Sequence, residues 1–115
     1  MQTRDDDLVT LKMPARISAG IDAGVDNAVS TAAQNGDEET VQVGLQIRRI
    51  GGDQVPWVND AWPPMDQVIS VRLTYAQWTF AADEARSNIP VYEELGDEVS
   101  AQLGRDALAV IVSGR

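Results

Sequence analysis

Six residues near the start of the chain recur in kind sixty positions later, and no other feature constrains the fold as strongly. Leu8-Val9-Thr10-Leu11-Lys12-Met13 aligns with Val68-Ile69-Ser70-Val71-Arg72-Leu73, matched in residue class at every position. With no gap, Gly36-Asp37-Glu38 then falls on Gly96-Asp97-Glu98, Gln42 on Gln102 and Gly44 on Gly104. A fixed offset of this kind argues a tandem duplication of one supersecondary unit. The units are expected at about 8–50 and 68–112, joined by 51–67, inside a single domain spanning 1–115.

Each unit opens with period-2 alternation. Val9, Leu11 and Met13 share one side and Thr10 and Lys12 the other; Ile69, Val71 and Leu73 repeat this against Ser70 and Arg72. That is a strand with one wet face. A lone short strand leaves backbone groups unpaired, so the two are expected to pair antiparallel across a pseudo-twofold axis.

A helix is expected after each strand. Ile17, Ile21, Val25, Ala28, Val29 and Ala32 recur at spacings of three and four, and Asn35-Gly36 supplies a stop. In the second unit Thr74 with Gln77 forms a capping box, and Trp78, Ala82, Ala85, Ile89 and Tyr92 follow one face to Leu95-Gly96. Pro90 should kink that helix or restart it from Asn88, because it removes a donor and crowds the preceding turn.

The third element reads two ways. Val41, Val43, Leu45 and Ile47 alternate as in a strand, whereas Asp37-Glu38-Glu39 suits a helix start and Arg48-Arg49 a helix end. The equivalent stretch from Asp97 is more helical, with Val99, Leu103, Ala107, Val110 and Ile111 on one face. Helix is expected at both sites, with strand as the alternative for 39–50. The fold class is therefore α+β, mostly helical.

Between the units, Gly51-Gly52 signals a turn. Three prolines at 56, 63 and 64 exclude regular helix, and Trp57, Val55, Val58, Trp62 and Met65 are too apolar for a free linker. This loop must pack. Trp57, Trp62 and Met65 are candidate protein-binding residues, since Trp is enriched at the energetic centres of interfaces. The competing expectation is that both indoles fold back over a core holding only three Trp, two Tyr and one Phe.

Composition narrows the chemistry. The chain has no His, no Cys and one Lys. Its six serines have no imidazole to activate them, and zinc would have to be held by carboxylates alone. The acidic clusters (5–7, 37–39, 83–84, 93–94 and 97–98) lack the alternating oxygen ligands of a calcium loop and read as helix starts and solvated faces. There is no Gly-rich phosphate motif. We expect no enzyme, metal or cofactor. A net charge of −9 repels nucleic acid and anionic membrane and favours basic partners or simple solubility. No apolar run spans a bilayer, and the polar, acidic start is wrong for a signal peptide; a cytoplasmic protein is expected. The leading expectation is a non-catalytic acidic protein-binding module: an adaptor, inhibitor or assembly component.

The stretch Val9-Thr10-Leu11-Lys12-Met13-Pro14, followed by a helix, a Gly turn and a second helix, resembles the ribbon-helix-helix DNA-binding module. Two such units would make a fused pseudo-dimer. The resemblance implies a DNA-binding regulator reading bases with the outward strand residues Thr10, Lys12, Ser70 and Arg72. The first helix is longer than in that module, and the second unit has Thr74 where the pattern has Pro.

Overall fold

A computed structural model describes residues 4–115, in the order β1 (Leu8–Pro14), α1 (Ala15–Gln34), α2 (Glu38–Asp53), β2 (Val68–Thr74), α3 (Tyr75–Glu94) and α4 (Glu98–Gly114). These are two strand-helix-helix units in the same order, so the fold is α+β and mostly helical. The strands form a two-stranded antiparallel sheet in which Leu11 faces Val71, its counterpart at the offset of sixty. That pair marks the pseudo-twofold axis, and equivalent hydrogen bonds surround it. Ala15 N–H donates to Gln67 O and Tyr75 N–H to Asp7 O, both at 2.8 Å; Arg16 N–H donates to Met65 O and Ala76 N–H to Asp5 O at 2.9 and 3.0 Å. Each helix start is thus tied to the segment leading into the other unit's strand.

Alternation decides which strand face is buried. Leu11, Met13, Ile69, Val71 and Leu73 enter the core, while Thr10, Lys12, Ser70 and Arg72 face outward. The outer edge of β2 is closed by the Gln54 side chain at the end of α2. Its amide donates to Arg72 O and accepts from Arg72 N–H, both at 2.7 Å. This imitates a third strand and protects an edge that would otherwise pair with other chains. Gly114 occupies the equivalent position in the second unit and has no side chain to do the same.

Helix boundaries follow from caps. Gly36 and Gly96 take φ of +73° and +74°, the left-handed turn that ends α1 and α3. Asp37 and Asp97 then cap α2 and α4, accepting from Thr40 N–H at 3.2 Å and Ser100 N–H at 3.1 Å. Thr74 and Gln77 form the reciprocal capping box of α3. Within each unit a glycine brings the hairpin helices together: a Cβ at Gly44 would collide with Val29 Cγ2, and one at Gly104 would come to 3.0 Å from Ile89 Cγ1. Val29 and Ile89 are themselves sixty residues apart. One hydrophobic cluster takes residues from both units, centred on Trp78, Met13, Ile17, Val25 and Ile111.

Residues 39–50 are helical, as expected. Three details differ from expectation, the first being that α2 continues through Gly51-Gly52 to Asp53, so the connecting loop is shorter than 51–67 and Arg48-Arg49 lie before the final turn. Alternation in Val41–Ile47 misleads because only Gly44 and Ile47 of that stretch are fully buried. Helix α3 neither breaks nor restarts at Asn88 but runs through Pro90 to Glu94; Pro90 lies on an exposed face near the end of the helix, where the lost backbone bond costs least. Val99 is 83% exposed. It lies in the first turn of α4 at the hairpin tip, beyond any element that would cover it, and Ala101 takes its place in the core.

Candidate functional site

The connecting loop builds the most distinctive surface of the molecule. Val58 and Ala61 exchange both backbone hydrogen bonds, at 2.9 and 3.0 Å, across Asn59 and Asp60. Both turn residues have positive φ, 51° and 65°. This is the two-residue primed turn that Asn and Asp tolerate. It brings the flanking residues Trp57 and Trp62 together, with ring centroids 4.8 Å apart and planes tilted by 59°. Trp57 Nε1–H donates to Gly52 O at 2.8 Å, fastening the turn to the end of α2.

Beneath the two indoles lies a pocket of about 220 Å³. Its floor is apolar, made by Met13, Val71 and Leu73 of the sheet together with Ile21, Ile47 and Val55. Trp78 forms part of the wall, so all three tryptophans of the chain meet here. Trp78 is 1% exposed, and its Nε1–H donates to Val9 O at 2.9 Å. Trp57 is 44% exposed and Trp62 is half-buried against the core.

Three polar side chains, Ser18, Asp22 and Arg48, line the pocket. Arg48 Nε and Nη2 donate to the two oxygens of Asp22 at 3.0 and 3.3 Å, and Nη1 donates to Asp26 at 2.8 Å. The Asp22 hydrogen bonds raise the affinity of Arg48 for its proton, with desolvation opposing. Two carboxylates on one guanidinium leave this wall with a net negative charge. The connecting loop adds Asp60 and Asp66 and carries no Lys or Arg.

The pocket exists because the two units differ at a few equivalent positions. Ser18 stands where the second unit has Trp78, and Gly51 stands where it has the fully buried Ile111. Asp22 and Arg48 stand where it has Ala82 and Leu108. At three of these four positions the second unit carries a large apolar side chain, Trp78, Leu108 or Ile111. The first leaves the space open and roofs it with tryptophan. Glycines 51 and 52 cost α2 helical stability and meet nothing within 4 Å at their Cβ positions.

Of the three residues singled out from sequence, Trp57 and Trp62 line the pocket; Met65 is 46% exposed and lies outside the lining. The structure brings Ser18, Asp22, Arg48 and Gly51 to the same place, which reading the chain linearly missed. The signal was present in the offset alignment, as the positions where the units disagree in size or charge. The four ribbon residues share one outward face: Thr10 pairs with Arg72, whose Nε donates to Thr10 Oγ1 at 3.2 Å, and Lys12 pairs with Ser70. A further apolar cluster, Val91, Leu95 and Val99, is exposed around the α3–α4 turn.

Among the described residues no three carboxylates converge as a metal site would require, and no helix is long and apolar enough to cross a membrane. Among the described residues Glu84 is the one carboxylate whose proton affinity is raised; burial is the main cause, with the neighbouring Asp83 charge adding to it. It lies between α1 and α3, away from the tryptophan pocket. No family model, curated protein or solved structure matches the chain.

Proposed function

We propose that the chain is a non-catalytic, acidic protein-binding module, an adaptor, inhibitor or assembly component of the cytoplasm, whose contact surface is the Trp57–Trp62 pocket with Met65 beside it. The observation that carries this reading is the pair of indoles, one of them 44% exposed, over an apolar pocket lined by Ser18, Arg48 and Gly51 where the second unit carries Trp78, Leu108 and Ile111. Large apolar groups that line an open concavity, rather than closing over a core, are what interface anchors look like before the partner arrives. The net charge of −9 favours a basic partner. The ligand inventory, without His or Cys, supports a binding role over a catalytic one.

The test is affinity capture from the native host's extract, with nucleic acid retained and then digested. A specific protein should stay bound after digestion and be lost from Trp57→Ala. Capture unaffected by Trp57→Ala removes the pocket from the account.

A second reading, a ribbon-helix-helix-like DNA-binding regulator, draws on the strand register, which sets Thr10, Lys12, Ser70 and Arg72 on one exposed ribbon face. Against it, the ribbon presents only two cations, and phosphate contacts require cations, each changing the salt slope by about −0.9. We expect no specific duplex binding at physiological salt. Micromolar binding with a steep salt slope, lost in Lys12→Ala/Arg72→Ala, would install this reading instead.

A further inference from the structure

We infer that the occupant of the tryptophan pocket is a single aromatic side chain carried on a basic segment of a protein partner. This rests on the reading above and specifies the partner's chemistry.

Size argues for one side chain. An apolar cavity of roughly 150 Å³ accepts benzene, whereas sites for drug-sized ligands begin near about 300 Å³. At about 220 Å³ the pocket suits one large ring. The wall chemistry argues for an aromatic group. Trp57 commits its indole N–H to Gly52 O, so at 44% exposure it offers a guest ring surface rather than a donor, while Trp78, 1% exposed, backs the wall. Tilted and edge-to-face arrangements of a guest ring with the Trp57–Trp62 pair are then available at the usual centroid spacings.

Charge argues for basic flanks. Arg48 is held by two carboxylates, so an incoming acid would have to compete with Asp22 and Asp26 for a guanidinium already bonded through three nitrogens. The connecting loop contributes two more carboxylates, Asp60 and Asp66, and no cation. Residues flanking the inserted ring meet this rim, where opposite charge speeds encounter and like charge rejects wrong partners.

The experiment uses the full chain with 15N-labelled indoles and three blocked pentapeptides: KKWKK, EEWEE and KKAKK. KKWKK should shift the indole N–H resonances of Trp57 and Trp62, bind about tenfold tighter than EEWEE, and weaken as salt rises. KKAKK should leave both resonances in place. Gly51→Ile, which gives the first unit the side chain the second unit has, should abolish the KKWKK shift while preserving the remaining spectrum. Equal or tighter binding of EEWEE overturns the basic-flank inference and leaves the pocket reading intact. Shifts from KKAKK as large as those from KKWKK, or no shift from any peptide, overturn the aromatic-anchor inference itself. Capture of a protein partner that depends on Trp57 would still stand in that case, which separates the two failures. Free indole binding as tightly as KKWKK would reassign the pocket to a small molecule.

Discussion

Gly44→Ala and Gly51→Ala place the same methyl group on the same helix with opposite consequences. Both glycines lie within α2, and neither has the positive φ that would strain an alanine. Helix propensity alone favours each substitution by up to about 1 kcal/mol, somewhat less near the helix end. Packing separates them. At Gly51 the new Cβ meets nothing within 4 Å, so the propensity gain of about 0.5–1 kcal/mol should appear in full. At Gly44 it would overlap Val29 Cγ2 and touch Val25 Cγ1 at 3.5 Å. Valine in a helix has essentially one χ1 rotamer, so Val29 cannot swing aside, and either its side chain leaves its well or α1 and α2 move apart. Overpacking of this kind costs about 1–3 kcal/mol. Because propensity cancels in the comparison, Gly44→Ala should be less stable than Gly51→Ala by about that amount in urea unfolding. The double variant Val29→Ala/Gly44→Ala removes the obstructing methyl, so the Gly44→Ala penalty should disappear in that background. Equal stabilities for the two single variants would refute the close α1–α2 contact.

Other consequences follow from the same geometry. Trp78→Ala should cost about 3–5 kcal/mol, as expected for emptying a core site, whereas Trp57→Ala, 44% exposed with one hydrogen bond to lose, should cost about 1–2 kcal/mol; thermal or urea unfolding of the two checks the order. Asp60→Gly should stabilise by about 0.5–1 kcal/mol, since it relieves a side chain at positive φ in a primed turn. Gln54→Ala should cost about 1–3 kcal/mol by removing both bonds to Arg72 and should increase aggregation by opening the β2 edge. Hydrogen bonds from Thr40 and Ser100 hold the Asp37 and Asp97 carboxyls below their ordinary range. Their contribution is therefore full above the unfolded value near pH ~4 and lost as pH falls, so Asp37→Ala/Asp97→Ala should flatten the acid limb of a stability-versus-pH curve. Glu84 has the opposite sign: its raised affinity for a proton favours the fold at low pH and is lost as pH rises, so Glu84→Gln should stabilise the protein at neutral pH.

Most of the fold was legible because local signals agreed with one another. Strand alternation, the Gly-Asp caps and the Thr74–Gln77 box each specify a boundary by a local mechanism, and the offset of sixty repeats them. The errors came where tertiary context outweighed local preference. Gly51-Gly52 reads as a turn, yet the helix continues because Gln54 and Trp57 anchor its end to β2 and to Gly52. Pro90 allows a restart from Asn88, yet α3 runs through it as one helix. The pocket was half legible. Trp57 and Trp62 stand out as apolar residues in a proline-rich loop. Ser18, Asp22 and Arg48 carry no local signal, and they matter only because the fold sets them opposite the loop, where the two units differ.

The central claim is that the first unit keeps open, for a partner, the space where the second unit carries large apolar side chains. Gly51→Ile tests it most directly, with unfolding stability and partner retention measured on the same protein. The account predicts a fold at least as stable as the original, because a glycine leaves the helix and an apolar side chain enters an apolar pocket, together with loss of the partner. A variant equally well folded that keeps its partner would contradict it.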